Sequence, residues 1–175
     1  VCGIYSAPGT AVKEAYDTSG IVTNDRGVTV WLKGNRVSRN QIMAIKEESV
    51  TEQKNSLAVC LDNILRHAGI TRNTEYDLAQ GKTATTILSE NMTGVQVLDL
   101  SGCTLDAVLY YVNQDIPVLA ILDDGEAVLV TGFNEFNVVI MEPSTGKLYK
   151  KGMNDATAWF AENGNHFITY MRTEN

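Results

Sequence analysis

Nucleophilic chemistry near neutral pH needs a thiol or hydroxyl beside a base, and this chain of 175 residues offers three cysteines and two histidines for that purpose. Cys103 stands just ahead of an amphipathic segment, where a helix N-terminus would favour its thiolate. No histidine is close to it in sequence, however, and Asp99 and Asp106 would push its pKa up, so a structural thiol is expected. Cys60 borders the apolar face of the best helix in the chain, well past the first turn where the helix dipole acts, and is expected to be a small core residue. His67 ends that helix and His166 opens the last apolar run, both expected to be structural. Cys2, Cys60 and Cys103 allow one disulfide but no disulfide framework, and no Cys-x-x-Cys or histidine pair has the spacing of a zinc site. Gly125, Gly132 and Gly146 are spaced as turns and not as a phosphate-binding loop.

The elements that must position these groups centre on Pro117 to Pro143. Val118–Leu122, Ala127–Phe133 and Val138–Met141 are apolar runs separated by Asp123-Asp124-Gly125 and Asn134–Asn137, which predicts three consecutive antiparallel strands. The runs are nearly continuous, so both faces of the sheet must be covered by helices from elsewhere. Asn55–Ala68 predicts the strongest helix, with Leu57, Leu61, Ile64, Leu65 and Ala68 on one face and Gly69 closing it; Ser56 is placed to N-cap it. Further helices are expected over Ala11–Tyr16, Arg39–Glu48 behind Ser38, Tyr76–Met92, Thr104–Gln114 and Asn154–Glu162. Strands are expected over Cys2–Ser6, Val28–Leu32, Val95–Leu100, Lys147–Lys151 and His166–Met171, with a short apolar pair at Ile21-Val22. Helices first and an antiparallel sheet afterwards make an α+β arrangement. Tyr110, Tyr111, Trp159, Phe160, Phe167 and Tyr170 can line a core or a groove. Trp159 and Phe160 are neighbours on one short helix, so at most one points fully inward.

A net charge of −7 argues against nucleic acid or an anionic membrane surface as partner, and no apolar run approaches the ~20 residues that span a bilayer. The length suits one domain. A start at Val1 without a leader pattern suggests a processed or excised chain.

Four stretches carry a resemblance over about residues 50–172. NSLAVCLDNILRHAGI is similar to the nucleophile helix of papain-like peptidases that cleave double-glycine leaders from bacteriocins (cysteine peptidase family 39-like). GEAVLVTGF is similar to that group's histidine strand, and NVVIMEPSTG to its Asp-Pro strand. GCTLDAVLYYVNQDIPVLA resembles the helix ahead of its Pro-Val strand. The resemblance implies a papain-like fold, N-terminal helices packed on a C-terminal antiparallel sheet. Residues 49–175 would form the peptidase-like domain, and 1–48 an extension or the end of a preceding module.

Carried over position by position, the resemblance places the nucleophile at Ser56, the histidine at Glu126 and the aspartate at Glu142. Gln53, three residues ahead of Ser56, is too close for the oxyanion-binding glutamine. A hydroxyl depends on a general base even more than a thiol does, and a carboxylate at Glu126 serves poorly unless its pKa is strongly raised. His67 is about 16 Å along the helix from Ser56 and cannot reach it. Without the resemblance, Ser56 reads as a helix cap, Glu126 as an exposed acid at a hairpin mouth and Glu142 as a solvated strand end; were the two acids to converge, one pKa would rise or a cation would be drawn in. Cys2-Gly3-Ile4 resembles the start of glutamine amidotransferases, but that chemistry needs cysteine first, and Val1 precedes it. The resemblance thus implies a degenerate triad with no catalytic residue, metal or cofactor. It would be a pseudo-peptidase module of a larger bacterial surface or secreted protein, binding an extended peptide or another protein. The alternatives are an active cysteine or serine hydrolase using Ser56, Cys60 or Cys103 with another base, and an assembly module whose groove is filled.

Overall fold

The computed structural model describes residues 3–33 and 55–173. Helix α1 (Pro8–Thr18) begins with proline in its first turn, where a missing N–H breaks no helical bond. Strands β1 (Ile21–Thr23) and β2 (Thr29–Leu32) form a two-stranded antiparallel sheet. The strand expected at Cys2–Ser6 is not found in its described part, residues 3–6: Ile4 is 94 % exposed, and no neighbouring strand supplies a ladder. The helix expected at Arg39–Glu48, with Ser38, Gln53, Cys2 and the division between residues 48 and 49, lies outside the described residues.

Helix α2 (Ser56–His67) buries Leu61, Ile64 and Leu65. The segment expected as one helix at Tyr76–Met92 is instead two, α3 (Glu75–Ala79) and α4 (Ala84–Asn91). Gly81 takes φ +86° between them, the Lys82 N–H donates back to Asp77 C=O, and the Thr83 hydroxyl caps α4 by accepting from Thr86 N–H. After β3 (Val95–Asp99), Thr104 caps α5 (Leu105–Val112). The chain then runs β4 (Val118–Ile121), β5 (Ala127–Phe133), β6 (Asn137–Glu142), β7 (Lys147–Gly152), α6 (Met153–Glu162) and β8 (His166–Arg172).

These six strands make one antiparallel sheet in the order β3-β8-β4-β5-β6-β7, so the last strand inserts between β3 and the central hairpin. Every residue of β5 is buried, as its unbroken apolar run requires: α2 and α5 both pack on it. Gly132, expected at a turn, is inside β5 beside an irregularity in the β5–β6 register. Val12, Ala15, Val30 and Trp31 belong to the same hydrophobic core as Leu61, Leu109 and Ile140. Two polar clips hold β2 on α5: Trp31 Nε1–H donates to Ala107 C=O (3.0 Å), and the Tyr111 hydroxyl donates to Val30 C=O (2.9 Å). Of the adjacent pair on α6, Phe160 is buried against Phe167, while Trp159 is half-buried beneath the Lys151 ammonium.

Candidate functional site

The N-terminus of α2 is capped by Asn55, whose Oδ1 accepts from Leu57 N–H (2.9 Å) and Ala58 N–H (3.4 Å). Ser56 is therefore not the cap, and its hydroxyl is used elsewhere. Its Oγ accepts the backbone N–H of Ala127, 3.0 Å away and 71 residues along the chain. The reason lies in the ladder. Leu122 N–H donates to Glu126 C=O, which fixes the phase of the β4–β5 hairpin and turns Ala127 N–H away from β4, toward the side of β6. Continued past Leu129↔Met141, the β5–β6 register would set Pro143 opposite Ala127, but β6 has ended at Glu142. A buried strand N–H is left at the end of the sheet, and the Ser56 hydroxyl satisfies it.

This bond brings the start of α2 against the residue next to Glu126. Glu126 is exposed, and its N–H donates to Asp124 Oδ1 in the turn. Glu142 is half-buried at the end of β6 and its carboxylate accepts from both the N–H and the hydroxyl of Ser144 (3.2 and 3.1 Å). Cys60, one turn into α2, is fully buried. Its thiol pKa is held well above the ordinary value, first by burial and then by the charges of Glu142 and Glu126. Both acids thus lie within electrostatic reach of the same thiol. Tyr149, on β7, is also raised, by burial and then by Glu142.

The remaining reactive groups lie elsewhere. Cys103 is 1 % exposed, and its Sγ–H donates to Gly9 C=O at 3.3 Å. Burial pushes this thiol up to about 11; Asp99 adds to the shift and Lys13 opposes it. Asp106, expected to contribute, instead accepts from the Tyr16 hydroxyl (2.8 Å). His67 Nε2 is 3.0 Å from Asp115 C=O and 3.7 Å from its carboxylate, at the far end of α2. His166 pairs with Ile121, itself the partner of Ala127, so it stands two strand spacings, roughly 10 Å, from Ala127. Among the described residues neither imidazole bonds to Ser56 or Cys60, and no group of three or more His, Cys, Asp or Glu side chains could hold a metal ion.

Two features of the site carry no local sequence signal. The Ser56–Ala127 bond depends on where β6 stops. The second is Asn163, the residue that closes α6, whose Oδ1 accepts from Asp123 N–H (3.1 Å) across the hairpin tip.

No protein-family profile matches this sequence, and no curated protein sequence is similar to it. The fold does have a counterpart. A crystal structure of a Bacillus anthracis protein designated a C39-like peptidase superposes with a TM-score of 0.62 at 12 % identity, covering 78 % of this chain and 100 % of that one. At that identity the likeness is one of fold: the chain has the α+β, papain-like fold of a C39-like peptidase.

Proposed function

We propose that this domain is a non-catalytic relative of the papain-like peptidases that binds an extended peptide segment. The observation that carries the reading is the 3.0 Å bond from Ala127 N–H to Ser56 Oγ. At the position where the resemblance puts a nucleophile, the oxygen completes the hydrogen bonding of a buried strand. What surrounds it supports the same reading. The position aligned with the histidine carries a carboxylate, Glu126, and both histidines are committed to other parts of the fold or stand too far off. Thiolate catalysis needs surroundings that lower a thiol pKa, whereas burial and two acids raise that of Cys60. The likeness to a C39-like peptidase is the support for a peptide as ligand. A host protein exposed on or secreted from a bacterial cell is proposed from the sequence resemblance alone.

Treating the purified chain with thiol- and serine-directed electrophiles, alongside a peptide library followed by mass spectrometry, tests the reading. The expected result is no cleavage and no labelling of Ser56, Cys60 or Cys103 in the folded protein. Peptides should be retained, with amide shifts confined to residues around Ser56 and Ala127. Rapid labelling of one of the three with matching cleavage would establish an active hydrolase instead. Neither labelling nor peptide retention would point to an assembly module.

A further inference from the structure

The β4–β5 connection is stiffened by its own bonds and held at both ends from outside. Within it, Leu122 N–H donates to Glu126 C=O (2.7 Å), Gly125 N–H to Leu122 C=O (3.0 Å) and Glu126 N–H to Asp124 Oδ1 (2.9 Å). Gly125 takes φ +85°, where a Cβ would strain the turn. Residues 123–126 are exposed, while Leu122 packs against the core and Ala127 is fully buried. Among the described residues, two side chains from outside the hairpin bond to its backbone, one on each leg. Asn163 Oδ1 takes Asp123 N–H at 3.1 Å, and Ser56 Oγ takes Ala127 N–H at 3.0 Å.

The two anchors come from opposite elements. Ser56 is the first residue of α2, and Asn163 closes α6. Asn163 is itself fixed, because its Nδ2–H donates to Trp159 C=O (2.9 Å) and its own N–H to the last carbonyls of α6. The exposed turn between these two bonds is stiffened by its own, so a change at one leg is passed to the other.

We propose that residues 123–126 form a latched turn beside the candidate site, with Asn163 and Ser56 as its two catches, coupled through the turn. The turn carries Glu126, and through Ala127 it is tied to the first residue of α2, one turn from the buried Cys60. Asn163 is thus a positioning residue, acting on the site through its bond to Asp123. The inference depends on the hairpin's bonds and not on any ligand.

Amide hydrogen exchange tests it, read separately at Asp123 and Ala127. Asn163→Ala should speed exchange at Ala127 as well as Asp123, roughly fivefold for loss of one net hydrogen bond, and Ser56→Ala should do the same at Asp123. Asp123→Pro is the control that leaves α6 and Ser56 untouched. It deletes the donor N–H together with an exposed carboxylate, and proline suits this second position of the turn. Ala127 should again exchange faster, by about the same factor. If Asn163→Ala and Asp123→Pro leave Ala127 exchange unchanged, the two anchors are independent local contacts and there is no latch.

Discussion

Replacing Ser56 by alanine separates a structural hydroxyl from a chemical one. Ala127 is fully buried, and its N–H has the Ser56 oxygen as its partner at 3.0 Å. Removing that oxygen leaves a buried donor unsatisfied, which costs about 1–3 kcal/mol, more than the net worth of an ordinary hydrogen bond. Alanine is otherwise well suited to the first turn of a helix, and the cap at Asn55 is untouched, so no other term should offset the loss. A destabilisation of about 2 kcal/mol is expected, or a fall in Tm of roughly 4–8 °C for a chain of this size. Urea unfolding should show the midpoint falling at constant slope. Removing a reactive serine held for chemistry typically leaves stability unchanged or improved. A loss below about 0.5 kcal/mol at unchanged slope would refute the structural assignment, since that is the range of an indifferent surface change.

Three further outcomes follow from the same geometry. Asn55→Ala should cost about 1 kcal/mol by removing the cap, and the double variant with Ser56→Ala should depart from the sum of the two, because adjacent side chains at one helix start couple. The Cys103 thiol, raised from 9.0 to about 11, contributes stability that is fully present below the ordinary thiol range and lost as pH rises through about 11. Cys103→Ser should therefore flatten the decline of the urea midpoint between about pH 9 and 11, although Cys60 and Tyr111, raised in the same direction, will keep part of the slope. Tyr170 is buried, and its hydroxyl has no hydrogen-bond partner among the described residues, so Tyr170→Phe should be neutral or stabilising by about 1 kcal/mol in thermal melts.

The sheet could be read from sequence because its signals are local. Val118–Ala120 and Ala127–Phe133 are buried, so the runs stay apolar but for Thr131, and Asp-Asp-Gly between them makes a tight turn. The amphipathic face of α2 is equally plain. What could not be read was decided by partners distant in the chain. Asn55 and Ser56 are adjacent residues with oxygens equally fit to cap, and the choice falls to Asn55 because Ala127 needs Ser56. The break at Gly81 turns on a left-handed φ that the pattern of Tyr76–Met92 does not demand. Asn163 gives no local hint of reaching Asp123, 40 residues away. At Asn55, Ser56 and Asn163 a hydrogen-bonding group had two reasonable uses, and tertiary packing selected one.

The electrostatics also set what it would take to recover a nucleophile. Ser56→Cys would place a thiol at the first residue of α2, where the helix dipole favours the thiolate by at most about 1 kcal/mol, or less than one pKa unit. Against that stands Glu126, the immediate neighbour of Ala127, with Glu142 at the adjacent strand end; both charges already raise the pKa of Cys60 one turn away. The introduced thiol should titrate at or above the ordinary value near 8.5, and at pH 7 alkylate no faster than a free cysteine. Glu126→His in the same chain reverses the sign of one neighbour whenever the imidazole is protonated, and supplies a base of suitable pKa. Alkylation rate against pH, measured in a Cys60→Ala background, distinguishes the cases. The double change should move the midpoint below that of Ser56→Cys alone. A midpoint well under 8.5 with Glu126 still in place would mean that the acids do not govern this site, and the electrostatic argument for a silent triad would fall.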